Sequence, residues 1–255
     1  MAYYGTLGNP NTQLFYNGTD TVSGAYTQDI DPMFNFPSYR SQDVTTLYSD
    51  FVNITNGLAP FISTVAVGGT IATGTAVMGR IGIVRCGTGA GASGSASITS
   101  LPATLVFGSG TFRYRADVLQ DVASDASNTF TTWFGFNDVA APGNGVDGAY
   151  FRYTHNVMSG QWQCVNRANS VETVVSSSTN ATGSLYQCLE IEVVGTSSVR
   201  YSINGVIVAT NTGTIPTLVA RATGVHAGIL KSLGTTARGF DIDWMGVRYE
   251  RSTPI

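Results

Sequence analysis

Two acidic pairs two apart stand within strand-like runs of the main domain: Glu190 with Glu192, and Asp241 with Asp243. Side chains two apart on a β-strand share a face, so each pair would project together. Two carboxyl groups flanking a bond are what glycoside hydrolysis needs, one as the acid and the other as nucleophile or base. The run Glu190-Ile-Glu-Val-Val194 offers no third acid. Solvated residues on the outer side of half-exposed strands account for the same pattern, and no catalytic residue is expected. Nucleophilic schemes have less to build on. There are two histidines, His155 and His226, and no Gly-x-Ser-x-Gly elbow. His155, beside Asn156, reads as a loop residue. Cys86, Cys164 and Cys188 form an odd set without Cys-x-x-Cys spacing. They read as small buried hydrophobes rather than a zinc site or a disulfide framework. No glycine-rich segment has the spacing of a phosphate-binding or dinucleotide loop.

Binding chemistry is better supplied. Sugar sites stack aromatic faces on pyranose rings and surround them with amides, carboxylates and guanidinium groups. Trp133, Trp162, Tyr150 and Tyr153 lie near Asn137, Asp138 and Arg152 in sequence. The candidate glycan set is Trp162 and Tyr150 as platforms with Arg152, Asn137 and Asp138 as polar partners. Trp133, Phe134, Phe136 and Phe151 read as core. Asp121, Asp125, Asn137, Asp138, Asn144 and Asp147 concentrate oxygen ligands of the kind Ca2+ takes. Their spacing is irregular, and Asp and Asn favour turns for their own local hydrogen bonds. No resident cofactor is expected, and Ca2+ is the one ion such residues would suit.

The totals narrow the class. The 255 residues fit one large all-β domain. Charged residues are 11%, against roughly 25% in ordinary soluble proteins, while hydrophobic residues reach 43%. That combination excludes disorder, which needs low hydrophobicity and high charge. Net charge is −3, and the arginines are scattered from Arg40 to Arg251 with Lys231 the sole lysine. Phosphate-backbone binding needs a concentrated basic patch, so nucleic acid is not an expected partner. No secretory signal and no apolar run of membrane-spanning length is seen, so synthesis in the cytoplasm without membrane insertion is expected.

The elements that must position these residues are short strands. Thr111-Phe-Arg-Tyr-Arg-Ala-Asp-Val118 alternates cleanly, with Phe112, Tyr114, Ala116 and Val118 on one face. Thr131–Phe136, Ala149–Thr154, Gln161–Val165, Leu185–Val194 and Phe240–Tyr249 are further strands. In the stretch from Leu185, the apolar face comprises Leu185, Leu189, Ile191 and Val193. Asn204-Gly205, between Val199–Ile203 and Val206–Ala209, predicts a two-residue hairpin. The segment GTGAGASGSAS over residues 87–97 reads as a loop between strands rather than a linker. Helical patterning is confined to one short candidate, Ser41–Phe51. Residues 1–44 differ. Tyr3, Tyr4, Phe15, Tyr16, Phe34, Phe36 and Tyr39 stand in an irregular Asn/Gly/Pro-rich stretch. So many aromatics need a surface, either the chain's own sandwich or a neighbouring subunit. The expected organisation is an arm over 1–44 and a β-sandwich over 45–255.

The stretch from Tyr48 to Tyr249 resembles the concanavalin A-like jelly roll, in the version found in tailed-bacteriophage structural proteins. The residues that carry the resemblance are Tyr48-Ser-Asp-Phe51, Thr111–Val118 followed by Trp133-Phe-Gly-Phe136, Cys188–Val193 with Val199–Gly205, and Phe240-Asp-Ile-Asp-Trp244. Glucanases of that fold place a Glu-x-Asp-x-Glu type motif on such a strand, a pattern this chain departs from. The resemblance implies an all-β fold and a non-enzymatic virion protein: a head-decoration, fibre or tail-associated subunit. Its partners would be capsid or tail proteins and further copies of itself in a homo-oligomer. Residues 1–44 would then attach it to the particle. The rival expectation is a carbohydrate or host-receptor module with a host glycan as partner. A glycoside hydrolase using Glu190 and Glu192 ranks third, because this fold hosts lectins, glucanases and inert modules alike.

Overall fold

The computed structural model describes residues 29–31, 36–38, 44–51, 58, 60–75, 77–80, 82–120 and 122–252. Of the aromatic residues expected in the arm, Phe36 falls on a described strand and the others lie outside the described residues, as does Asp121. The described strands are β1 (Asp29–Asp31), β2 (Phe36–Ser38), β3 (Val44–Ser49), β4 (Ile62–Ala66), β5 (Thr70–Thr73), β6 (Val84–Gly87), β7 (Ser95–Thr99), β8 (Thr111–Leu119) and β9 (Thr129–Asn137). They continue as β10 (Gly148–Thr154), β11 (Gln161–Ala168), β12 (Val171–Asn180), β13 (Gln187–Val194), β14 (Ser198–Ile203), β15 (Val206–Asn211), β16 (Gly224–Leu233) and β17 (Gly239–Glu250).

Two antiparallel sheets form a sandwich. Sheet one runs β15-β14-β13-β8-β17-β6-β5, with β3 also paired to β17. Sheet two runs β12-β11-β10-β9-β16-β7-β4. β1 and β2 pair only with each other. The segment 44–49 is strand, not the helix its surroundings suggested, and it pairs with Met245–Glu250 of β17. The consecutive β-branched residues Val44, Thr45 and Thr46 restrict χ1 against a helical turn and favour the pleated form.

Strict alternation makes β8 half-buried, with Phe112, Tyr114, Ala116 and Val118 turned inward as the sequence predicts. On β13 the inward residues are Leu189, Ile191 and Val193. Leu185, expected on that face, precedes the strand and is exposed, because the pairing with β8 begins only at Gln187. Asn204 and Gly205 both take positive φ (52° and 79°), as a type I′ hairpin requires. Between the sheets, aromatic rings meet edge-on: Phe134 with Trp162 at 5.6 Å, Phe134 with Phe240 at 4.7 Å, and Phe151 with Tyr201 at 5.2 Å. Such pairs contribute about 1 kcal/mol each beyond the area they bury. Tyr201 of β14 crosses the core to donate to the Val165 carbonyl of β11, with Asn166 Oδ1 equally close, both at 2.7 Å.

Cys86 and Cys164 are buried free thiols in this core, as expected, and burial pushes both thiol pKa values up. The glycine-rich segment is a loop between β6 and β7. Lys231 is 1% exposed, and its ammonium donates to the Gly89 and Gly91 carbonyls at 2.6 and 3.0 Å. Two loop positions admit only glycine: a Cβ on Gly94 would lie 1.7 Å from the Thr88 carbonyl oxygen, and one on Gly89 would lie 2.1 Å from that of Gly68.

Candidate functional site

The outer face of sheet two holds a group of polar and aromatic side chains outside the main core. The cross-strand pairings define it row by row. One row reads Ser176, Gln163, Arg152, Trp133, Gly228, Ser97 and Thr64 across β12, β11, β10, β9, β16, β7 and β4. The adjacent row reads Val174, Val165, Tyr150, Gly135, His226, Thr99 and Ile62. Trp133, Tyr150 and Val165 form a second small hydrophobic cluster, flanked by Val174 and Leu230 and separate from the main core.

Arg152 is the hub. Its Nε donates to Gln163 Oε1 at 2.9 Å, and its two Nη groups reach both carboxylate oxygens of Glu172 at 2.9 and 3.3 Å. Arg167 makes a second ion pair to Glu172. Burial pulls the Glu172 pKa up, but the hydrogen bonds and charges of the two arginines outweigh it and hold the carboxyl below its ordinary value. Burial, with the Glu172 charge nearby, pushes the Tyr150 phenol up.

The loop 138–147 joins β9 to β10 and lies across this face as a strap. Its base is closed by the Asp138 amide on the Asp147 carbonyl. Asp147 Oδ1 accepts from Arg221 Nη1 at 3.0 Å and from the Asn169 amide at 2.8 Å. Alternate strap residues then touch successive strands of the first row. The Ala140 carbonyl accepts from Ser97 Oγ at 2.7 Å. Pro142 packs on Gly228, where a Cβ would come within 3.1 Å of its ring. Asn144 Oδ1 accepts from Trp133 Nε1 at 2.9 Å and from Arg152 Nη1 at 3.0 Å. Asn137 Nδ2 holds the Gly143 carbonyl at 2.9 Å. Burial and the Asp147 charge raise the Asp138 pKa against the backbone hydrogen bonds that would lower it.

Several polar groups in these two rows have no hydrogen-bond partner among the described residues: Gln163 Nε2, Thr99 Oγ1 and both ring nitrogens of His226. All three residues are 1% exposed. Desolvation lowers the His226 pKa to about 3, so the imidazole is neutral in the fold.

Of the residues the sequence suggested for glycan binding, Tyr150 and Arg152 lie in the two rows on this face, and Asn137 and Asp138 stand where β9 meets the strap. Trp162 is a correction. It is 0% exposed in the main core against Phe134 and Phe151, with its Nε1 donating to Gln187 Oε1 at 2.8 Å, so its ring is no stacking platform. Tyr150 also lacks a free face, since it is fully buried in the outer cluster. Asn137 and Asp138 brace the strap. Trp133, expected in the core, faces outward instead. A run such as Thr-Thr-Trp-Phe-Gly-Phe136 is apolar at both parities, so periodicity could not choose its inner face. Gln163, Glu172 and His226 were missed as site members because only the register brings them together, and Asn144, read as an oxygen ligand for Ca2+, instead accepts from Trp133 and Arg152.

The acidic pairs lie on the outer face of sheet one, each held by arginine. Glu192 meets Arg113 at 2.7 Å and Arg200 at 2.8 Å, and Glu190 lies 3.9 Å from Arg115. Asp241 and Asp243 do not alternate as simply as their spacing implied, because a bulge interrupts β17 between Ile242 and Trp244. Asp241 pairs with Arg85 at 3.1 Å and Asp243 with Arg80 at 2.6 Å. Arg115 also lies over the Trp244 ring at 5.0 Å. The oxygen-rich residues suggested for Ca2+ are engaged elsewhere: Asp125 caps its own turn at Ser127 and Asn128 and pairs with Arg238, Asp147 pairs with Arg221, and Asn137 and Asp138 hold the strap. Among the described residues no group of three or more His, Cys, Asp or Glu is placed to hold a metal.

Known structures share this architecture. A protein of unknown function, SO2946 from Shewanella oneidensis MR-1, superposes with a TM-score of 0.64 at 12% identity, covering 92% of this chain and 99% of its own. An endo-1,3-beta-glucanase from Streptomyces sioyaensis gives 0.52 at 13% identity over 85% of this chain and 99% of its own. A carbohydrate esterase, vb_24B_21 from the Shiga toxin-encoding bacteriophage phi24B, gives 0.52 at 16% identity over 81% and 99%. At these identities the likeness is one of fold, and the fold is the concanavalin A-like β-sandwich that the sequence resemblance implied. No curated protein matches the sequence significantly. Residues 79–243 match the family model described as SO2946-like, C-terminal domain.

Proposed function

The chain belongs to the SO2946-like, C-terminal domain family. We propose that it is a non-enzymatic contact protein, a structural subunit of a tailed-phage particle. Its partners are other capsid or tail proteins and further copies of itself, and residues 1–44 are the attachment arm. The observation that carries this reading is the outer face of sheet one. There Arg80, Arg85, Arg113, Arg115 and Arg200 interleave with Asp117, Asp241, Asp243, Glu190 and Glu192 around Trp244. Carboxylates committed to guanidinium groups are poor general acids and nucleophiles, whereas arginine and aromatic residues on a sheet face suit a protein interface. The aromatic-rich start of the chain, which needs a surface to lie on, supports the same reading. The test is electron microscopy of particles made with the full chain and with residues 1–40 deleted, which leaves β3 whole. Loss of the subunit from the particle with a folded sandwich is the expected result. A truncated chain that still occupies the particle overturns the role of the arm, and a full chain absent from particles overturns the reading.

A second reading, glycan recognition, is favoured by the group formed by Trp133, Arg152, Gln163 and Glu172 on sheet two. Binding on a glycan array that disappears in Arg152→Ala supports it. An array with no bound sugar sinks it.

A further inference from the structure

The strap raises a question that the fold alone does not answer. Loops that merely close a β-hairpin have no need to span a sheet, yet residues 138–147 cross from β10 to β7 and cap polar groups that stay unsatisfied beneath them. The Asn144 side chain is the end of this contact. Its carboxamide oxygen receives an indole N–H and a guanidinium N–H at once, at 2.9 and 3.0 Å. Both donors are fixed beforehand: Trp133 by the apolar cluster with Tyr150 and Val165, Arg152 by Gln163 and Glu172. Next to them Gln163, itself 1% exposed, keeps Nε2 free to donate. Asn144 by contrast is an exposed residue on a loop containing Pro142, Gly143 and Gly145. A rigid donor pair met by an acceptor on a replaceable surface loop is the arrangement of a binding site filled by its own chain.

We propose that the strap self-occupies a ligand trough on sheet two, with the Asn144 carboxamide standing in for the acetamido group of an N-acetylated sugar. The inference rests on the second reading, glycan recognition, and narrows it. An acetamido carbonyl has the planar acceptor geometry of the asparagine side chain and would take the Trp133 and Arg152 donors in its place. Gln163 Nε2 then has an acceptor within the trough, such as a ring hydroxyl. Apparent affinity in the strapped state is lowered by the fraction of molecules that have the trough open, so removing the plug raises it.

The experiment titrates tri-N-acetylchitotriose and cellotriose, which lacks acetamido groups, into the full chain and into Asn144→Ala. The Trp133 indole N–H resonance is followed by NMR alongside calorimetry. In Asn144→Ala the indole resonance should move without ligand and return towards its starting position with the chitotriose. Affinity for that sugar should rise by about ten-fold or more, and affinity for cellotriose should not. Arg152→Lys added to Asn144→Ala should abolish the gain. Equal gains for both sugars overturn acetamido mimicry while leaving glycan recognition standing. Equal chitotriose affinity in the full chain and Asn144→Ala overturns self-occupation alone. Failure of both proteins to bind either sugar, with no sugar bound on an array, removes glycan recognition and this inference together. A Trp133 indole resonance unmoved by Asn144→Ala shows that the plug is absent in solution and overturns the proposal whatever the sugars do.

Discussion

Mild acid should weaken this protein through one side chain, His226. The ring is buried between strands β9 and β7, close to Gly228 and beneath the strap, and desolvation lowers its pKa from 6.5 to about 3. The unfolded chain therefore takes up the proton first. Stability from this group is present in full above pH 6.5, falls as the pH drops below that value, and levels off near the folded pKa. Each pH unit within the window is worth about 1.4 kcal/mol, so the loss from pH 7 to pH 5 is about 2 kcal/mol. Urea unfolding at the two pH values measures it. Carboxylates titrate in part over the same range, and His226→Met provides the reference. An apolar chain of similar volume also removes two unpartnered polar atoms, so this variant should be as stable as the parent at pH 7 or slightly more so. It should lose about 2 kcal/mol less on going to pH 5. Identical losses in parent and variant, or a His226 ring proton whose NMR shift titrates near pH 6.5, would refute the reasoning.

Three further outcomes are expected. Tyr201→Phe deletes a buried hydroxyl that donates across the core to the Val165 carbonyl or to Asn166 Oδ1 and leaves a buried acceptor without that donor; the cost should be about 1 to 3 kcal/mol by denaturant titration. Gly135→Ala should cost more, about 3 kcal/mol or beyond, because φ is +145° and the new methyl would sit 2.5 Å from the Ala149 carbonyl and 2.6 Å from Ile191 Cδ1. A fall of under 1 kcal/mol would mean the strand can shift there. The double variant Glu190→Gln, Glu192→Gln loosens ion pairs that are partly exposed, and the penalty should stay near 1 kcal/mol or below. Any glycosidase activity present in the parent and lost in this variant would contradict the proposed contact role.

The architecture was legible where one face of a strand is wet. β8 alternates residue by residue, and its inner face could be read directly from Phe112, Tyr114, Ala116 and Val118. The Asn204-Gly205 turn was equally plain, since few residue pairs accept positive φ twice. Legibility failed in sheet two, whose outer face is itself covered. From Trp133 to Asn137 every residue of β9 is buried, so periodicity vanishes, and Trp133 and Trp162 exchanged their expected sides. The site escaped for a related reason. Gln163, Glu172 and His226 join Trp133 and Arg152 on one face only through the strand order β12-β11-β10-β9-β16, and Asn144 reaches them only because the strap folds back over the sheet. The bulge in β17 was likewise invisible, since nothing in Asp-Ile-Asp243 announces an extra residue.

The burial of Lys231 has a practical corollary. It is the only lysine in the chain, and its amine is locked against two loop carbonyls in the native state. Acylating reagents that seek side-chain amines should leave the native protein unmodified at this position and tag it only as molecules open. The rate at which that single mass increment accumulates then becomes a clock for opening events, obtained without introducing any foreign probe.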